Sequence, residues 1–127
     1  MRANFDWTAG PLAEGLNCYR REQFFDAHEH WETVWLTLAE PEKSFLQALV
    51  QISAAFHHLN RGNRIGAMSL LGRSMRRLDM SPSEFCGIDV AELRRESRKW
   101  LIALEQEGDQ LPSEYPGLKL VEQHRAI

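Results

Sequence analysis

Six side chains in two stretches of this chain have types and spacings that could do chemistry. The first stretch, FFDAHEHWETVW, spans Phe24–Trp35 and carries His28, Glu29 and Glu32. The second, Phe45–Asn60, carries Gln47, Gln51 and His58. Two histidines and a carboxylate can hold a divalent metal and leave coordination positions open for a substrate. His28, Glu32 and His58 form such a set, and a divalent metal is the cofactor they would take. In an active pocket Glu32 or Glu29 would be the base or carboxylate ligand, and His28 the ligand or proton carrier. The six residues together outline a metal or small-ligand site in a helical protein.

The pattern stops short of every established template. His28-Glu29 followed by Glu32 reads HExxE, where zinc peptidases have HExxH. Di-iron bundles need two Glu-x-x-His pairs and two further glutamates, a set this chain lacks. Glutamine ligates metals weakly and hydrogen-bonds well. The same residues therefore also read as a buried polar network, with Glu32 accepting from His28 or a tryptophan indole and the amides bridging helices. In that case the protein is a non-enzymatic interaction module, a homodimer, whose polar cluster is purely structural.

The elements that must position these groups are helices. Pro11 suits a first helical turn, and Leu12, Leu16 and Tyr19 give the buried side of a short first helix. Over Glu22–Leu38, one turn per 3.6 residues lines up Phe24, His28, Trp31, Trp35 and Leu38. That places His28 and Glu32 inward, Glu29 at the border and His30 toward water. Between Lys43 and Arg61 there is no charged residue, so the helix Glu42–Asn60 is expected at the centre, surrounded by protein. Its apolar stripe is Phe45, Leu49, Ile52, Phe56 and Leu59; its second stripe is Gln47, Gln51, Ala54 and His58. Gly62 is a left-handed stop, and Arg64–Leu78 follows as an antiparallel partner. Asp89 and Glu92 have the spacing of a capping box opening a last helix, which ends at Gly108. Residues 1–10 read as an arm anchored by Phe5 and Trp7. Residues 109–127 read as an extended tail wrapping the bundle and ending in a helical turn. No strand pattern is visible. The expectation is one all-α domain over residues 1–127, a compact bundle of about five helices.

Three segments in this order, FFDAHEHWETVW, FLQALVQISAAFHH and RGNRIGAMSLL, resemble the domain of unknown function 309 family. Phe24, Phe25, Ala27, His28, Glu29, Glu32 and Trp35 match the family's first motif. Gln47, Leu49 and Gln51 match the second, and His58, Gly62, Asn63 and Ala67 the third. The resemblance runs from about Leu12 to Leu78. Asp26 stands where the family has glutamate and Ala48 where it has glycine. It implies an all-α bundle and brings no activity with it.

Composition narrows the remaining classes. The chain has 127 residues, 43% hydrophobic and 26% charged, with net charge -3, so nothing draws it as a whole to nucleic acid or an anionic membrane. No apolar run approaches a membrane span, and the N-terminus lacks an apolar signal core. Cys18 and Cys86 stand far apart without CxxC spacing, which fits a reducing cytoplasm and makes Cys18 a partly buried structural thiol. Arg61, Arg64, Arg73, Arg76 and Arg77, with Arg94, Arg95, Arg98 and Lys99, could form a basic face for phosphate groups. A solvated face paired with Glu92, Glu96 and the acidic N-terminal half is the simpler reading, and nucleic acid is not the expected partner. Trp31 and Trp35 read as core, Trp7 and Trp100 as a dimer contact.

Overall fold

Pro11, Asn63 and Asp89 each open a helix, by preset backbone geometry in the first case and by side-chain capping in the other two. The structure, a computed structural model, describes residues 5–106, 108 and 110–121. Its helices are α1 (Gly10–Arg20), α2 (Phe24–Trp35), α3 (Glu42–Asn60), α4 (Arg64–Asp79) and α5 (Val90–Glu105), and the fold is all-α apart from one very short hairpin. The Asn63 side chain accepts from the Gly66 amide at 2.9 Å, and that of Asp89 from the Glu92 amide at 3.0 Å. The Asp89 amide is taken by the Lys119 carbonyl at 2.9 Å, so half of the expected capping box is replaced by a tail contact.

Two helix ends close in the same way. Gly62 (φ 82°) follows α3, and the Asn63 amide returns to the His58 carbonyl at 2.8 Å. Glu22 (φ 63°) follows α1, and the Gln23 amide returns to the Cys18 carbonyl at 2.8 Å. Glu22 thus occupies a left-handed position that normally favours glycine, which is why α2 starts at Phe24 and not at Glu22. At its other end α2 passes into tighter turns over Leu36–Leu38, where the Thr37 and Leu38 amides reach back only three residues.

Helix α3 lies between α2 and α4, and α1 packs on the far side of α2. Phe45, Leu46, Leu49, Ile52 and Phe56 of α3 are almost completely buried. They meet Phe24 and Trp31 of α2, Leu71 and Leu78 of α4, and Leu93 and Trp100 of α5 in one core. The expectation that α3 is enclosed all round is corrected: Lys43, Gln47, Val50, Ala54, His57 and His58 are only half-buried, along one outward side. The buried side of α2 is Phe24, Ala27 and Trp31, with Val34 packed against the core. That line is rotated from the expected stripe because α2 packs on both α1 and α3, so its most protected line falls between the two neighbours. His28 and Trp35 are left at the edge.

Antiparallel α4 and α5 satisfy each other's C-terminal carbonyls. Arg64, at the start of α4, donates to the carbonyls of Ala103, Leu104, Gln106 and Gly108 at 3.0–3.3 Å. Arg94 of α5 donates to those of Leu78 and Ser81 at 2.7 and 2.8 Å. Each guanidinium meets the negative end of a helix dipole and fills acceptors that the helix cannot fill itself.

The loop after α4 holds a feature with no sequence pattern of its own: β1 (Glu84–Phe85) pairs antiparallel with β2 (Ile88–Asp89). Cys86 (φ 53°) and Gly87 (φ 79°) are both left-handed, as a two-residue hairpin turn requires. Strands of two residues are too short to show an alternation. Leu120 bridges to Ile88, and the Val121 amide donates to the Gly87 carbonyl at 3.0 Å. The tail is extended over its described part. Arg20 donates to the Leu118 carbonyl at 2.9 Å, Tyr19 to that of Pro116, and Trp100 to that of Glu114 at 2.9 Å. Burial pushes the Tyr19 phenol far above its ordinary range. The expected final helical turn lies outside the described residues. Trp7 and Trp100 are corrected from surface contacts to core: both are more than nine-tenths buried, and Trp7 donates to the Cys86 carbonyl at 2.7 Å.

Candidate functional site

Four residues apart on α2, His28 and Glu32 face the same side. Their side chains meet at 3.1 Å between Nε2 and Oε2, with 29% and 48% of their surfaces exposed. The pair sits at the surface, where an ion pair adds little to stability. The other ring nitrogen, His28 Nδ1, is buried without a hydrogen-bond partner, as is the indole nitrogen of Trp35. Phe25, one turn earlier, has its ring 6.0 Å from that of His28 and 5.2 Å from that of His57 on α3. At the far end of the same seam, Lys43 of α3 lies over the Trp35 ring at 4.9 Å.

The six expected residues do not assemble. His28 and Glu32 pair; Glu29 stands exposed beside them; Gln47 is half-buried on the outward side of α3. Gln51 is turned toward α4, where it shares a cleft with Arg73, Arg76, Arg77 and Met80. His58 lies at the end of α3, its Nδ1 accepting from Asn63 Nδ2 at 3.3 Å. The structure thus brings together two of the three expected metal ligands. Among the described residues no three His, Cys, Asp or Glu side chains are placed to share an ion.

The side chain that meets the first stretch is His57, which the sequence reading passed over. The signal was present in the spacing. Lys43 and His57 are fourteen residues, almost four whole turns, apart, so both lie on one side of α3. That side, and not the Gln47–Gln51–His58 stripe, is the one that α2 meets. His30 turns the other way, 3.3 Å from Glu14 of α1.

Burial, with the Arg61 guanidinium and the rings of His58 and His28, pushes the His57 imidazole below its ordinary value of 6.5. The fold disfavours the charged ring, so the unfolded chain binds that proton more readily. Stability from this group is complete above pH 6.5 and is lost as pH falls through the lower folded value. His57→Gln is expected to flatten the decline in urea-unfolding stability between about pH 7 and 5. An unchanged slope in the variant would remove this account.

Clefts of about 480, 380 and 350 Å³ are among those that open on the described surface. The first lies between Tyr19, Glu92 and the tail; the second lies along Arg94, Arg95, Arg98 and Lys99 of α5; the third is the Gln51 cleft. Neither His28 nor Glu32 lines any of them. The basic residues divide by task. Arg64 and Arg94 hold helix ends, Asp79 pairs with Arg94 and Arg98, and Glu96 pairs with Arg95 and Lys99.

Residues 12–70, which contain the paired His28 and Glu32, Gln51 and His58, match the family described as Domain of unknown function (DUF309). Over these residues the chain is similar to that family. The DUF309 match takes in α1, α2, α3 and the first part of α4, while the hairpin, α5 and the tail lie beyond it. No curated protein matches the chain. Among the described residues no helix is long and apolar enough to cross a membrane.

Proposed function

We propose that this protein is a non-enzymatic interaction module, one cytoplasmic helical domain that pairs with a second copy through the outward face of α2 and α3. The observation that supports this most is a row of uncovered side chains on α2. Phe25 is 48% and Leu36 67% exposed, and they flank the half-exposed His28–Glu32 pair. Large apolar groups exposed beside a partly desolvated polar pair suit a docking face better than a catalytic pocket.

Charge favours a second copy as the occupant. Phe25, Glu29, Glu32 and Leu36 fall on one side of α2, where two carboxylates stand beside the single imidazole of His28. The outward side of α3 has Lys43, His57 and, just past the helix, Arg61, and carries no acid. A two-fold axis running along the α2–α3 seam would lay the acidic stripe of one copy on the basic edge of the other, so a single patch serves both partners. The two cysteines, without metal-binding or redox spacing, suit a reducing compartment.

Light scattering over a concentration series tests the pairing. The wild-type chain is expected to approach twice its 14.7 kDa mass as concentration rises. Phe25→Glu/Leu36→Glu, which changes only exposed side chains, is expected to stay monomeric and folded. A wild-type protein that remains a monomer throughout would end the proposal.

A further inference from the structure

Gln51 is nine-tenths buried in the middle of α3, and its Oε1 atom is fully enclosed without a hydrogen-bond partner. An unpaired buried amide oxygen is costly, and a leucine or methionine there would carry no such penalty. The amide borders a cleft of about 350 Å³ whose other walls are Arg73, Arg76 and Arg77 of α4 and Met80 just past its end. The three arginines stand at i, i+3 and i+4, on one side of the helix. Among the described residues none of them has a carboxylate within ion-pair distance; Arg77 donates to the Ser44 hydroxyl at 3.3 Å.

The surroundings supply little negative charge. Asp79, close by in sequence, is held by Arg94 and Arg98. From Lys43 to Leu78 there is no acidic residue at all. Glu40 is near enough for Arg77 to bear on its carboxyl electrostatically, but that carboxyl is hydrogen-bonded to the Ser44 amide at 2.9 Å. Three guanidinium groups without a carboxylate partner, beside the N–H donors of the Gln51 amide, form a set of donors that a bound oxyanion would complete; the enclosed Oε1, itself an acceptor, is not what the anion would satisfy.

We infer that the Gln51–Arg73–Arg76–Arg77 cleft binds the phosphate group of a small phosphorylated molecule. The guanidinium forks would donate in pairs to phosphate oxygens. The Gln51 amide nitrogen would donate an N–H to the phosphate. A dianion is favoured over a carboxylate because three cations line a space of this size. The site lies on the α3–α4 side, so it is independent of pairing through α2 and α3.

The test is a titration of the full chain with inorganic pyrophosphate, followed by amide chemical shifts at constant ionic strength. Saturable shifts confined to α3 and α4 are expected. Arg73→Ala/Arg76→Ala should weaken binding at least about tenfold, the scale of losing charge-assisted hydrogen bonds. Gln51→Glu should abolish binding and raise the melting temperature, because the new carboxylate would take the place of the anion against the arginines. The monomeric Phe25→Glu/Leu36→Glu variant should bind as the wild type does, so dimer failure and site failure are distinguishable. A 5′-phosphorylated oligonucleotide that binds where pyrophosphate does not would overturn the small-molecule assignment. Absence of saturation, or affinity unchanged in Arg73→Ala/Arg76→Ala, would overturn the site itself.

Discussion

Gly15→Ala is expected to lower the unfolding free energy by about 2 kcal/mol, although alanine is the better helix former by about 1 kcal/mol. The reason is Trp31. A Cβ at position 15 would overlap the Trp31 indole, which is fully buried. The ring cannot swing aside: its N–H donates to the Leu12 carbonyl at 3.2 Å, and Tyr19 and Trp7 pack against it at 6.0 and 6.5 Å. Gly15 therefore sets how closely α1 approaches α2, and any shift there moves the helix carrying His28 and Glu32. Gly72 supplies the control. It also lies within a helix, α4, but nothing stands within 4 Å of its missing Cβ. Gly72→Ala should stabilise by up to about 1 kcal/mol. Urea unfolding of both variants measures the contrast, and a shift of the same sign in both would remove the packing explanation.

Tyr115→Ala should be the most damaging change outside the helices, at about 3 kcal/mol. Its ring stacks on Trp100 at 5.2 Å with an interplanar angle of 2°. It also meets the rings of Phe24 and Phe56 edge-on, each at 4.8 Å. One tail residue thus ties together α2, α3 and α5. Its hydroxyl contributes little, donating to the Asn60 side chain at 3.2 Å in an exposed position. Tyr115→Phe is accordingly expected to lose no more than about 1 kcal/mol. Thermal unfolding separates the two variants. Equal losses would mean that the hydroxyl, and not the aromatic cluster, holds the tail.

The helices were legible because each carries its own signal. The stretch free of charge from Ser44 to Asn60 required a central helix, Gly62 ended it, and Asp89 capped the last helix. Those are local preferences and periodicities, so the helices and their order carry over into the fold, while their exact bounds and buried lines shift with packing. The hairpin at Glu84–Asp89 was invisible because strands of two residues have no period.

The site was legible only in part. Periodicity fixed that His28 and Glu32 share one side of α2, and they do meet. It could not fix how α2 and α3 are rotated about their own axes. The packing of α1 beneath α2 decides that, with Gly15 admitting Trp31. One step of about 100° around α3 exchanges His58 for His57 as the neighbour of Phe25 and turns Gln51 to the arginines of α4. The sequence by itself thus determined the helices, their order and the His28–Glu32 pair, because these depend on residues close along the chain. Only the tertiary structure decided which helix each polar stripe faces, because that depends on side-chain volumes contributed by three helices at once.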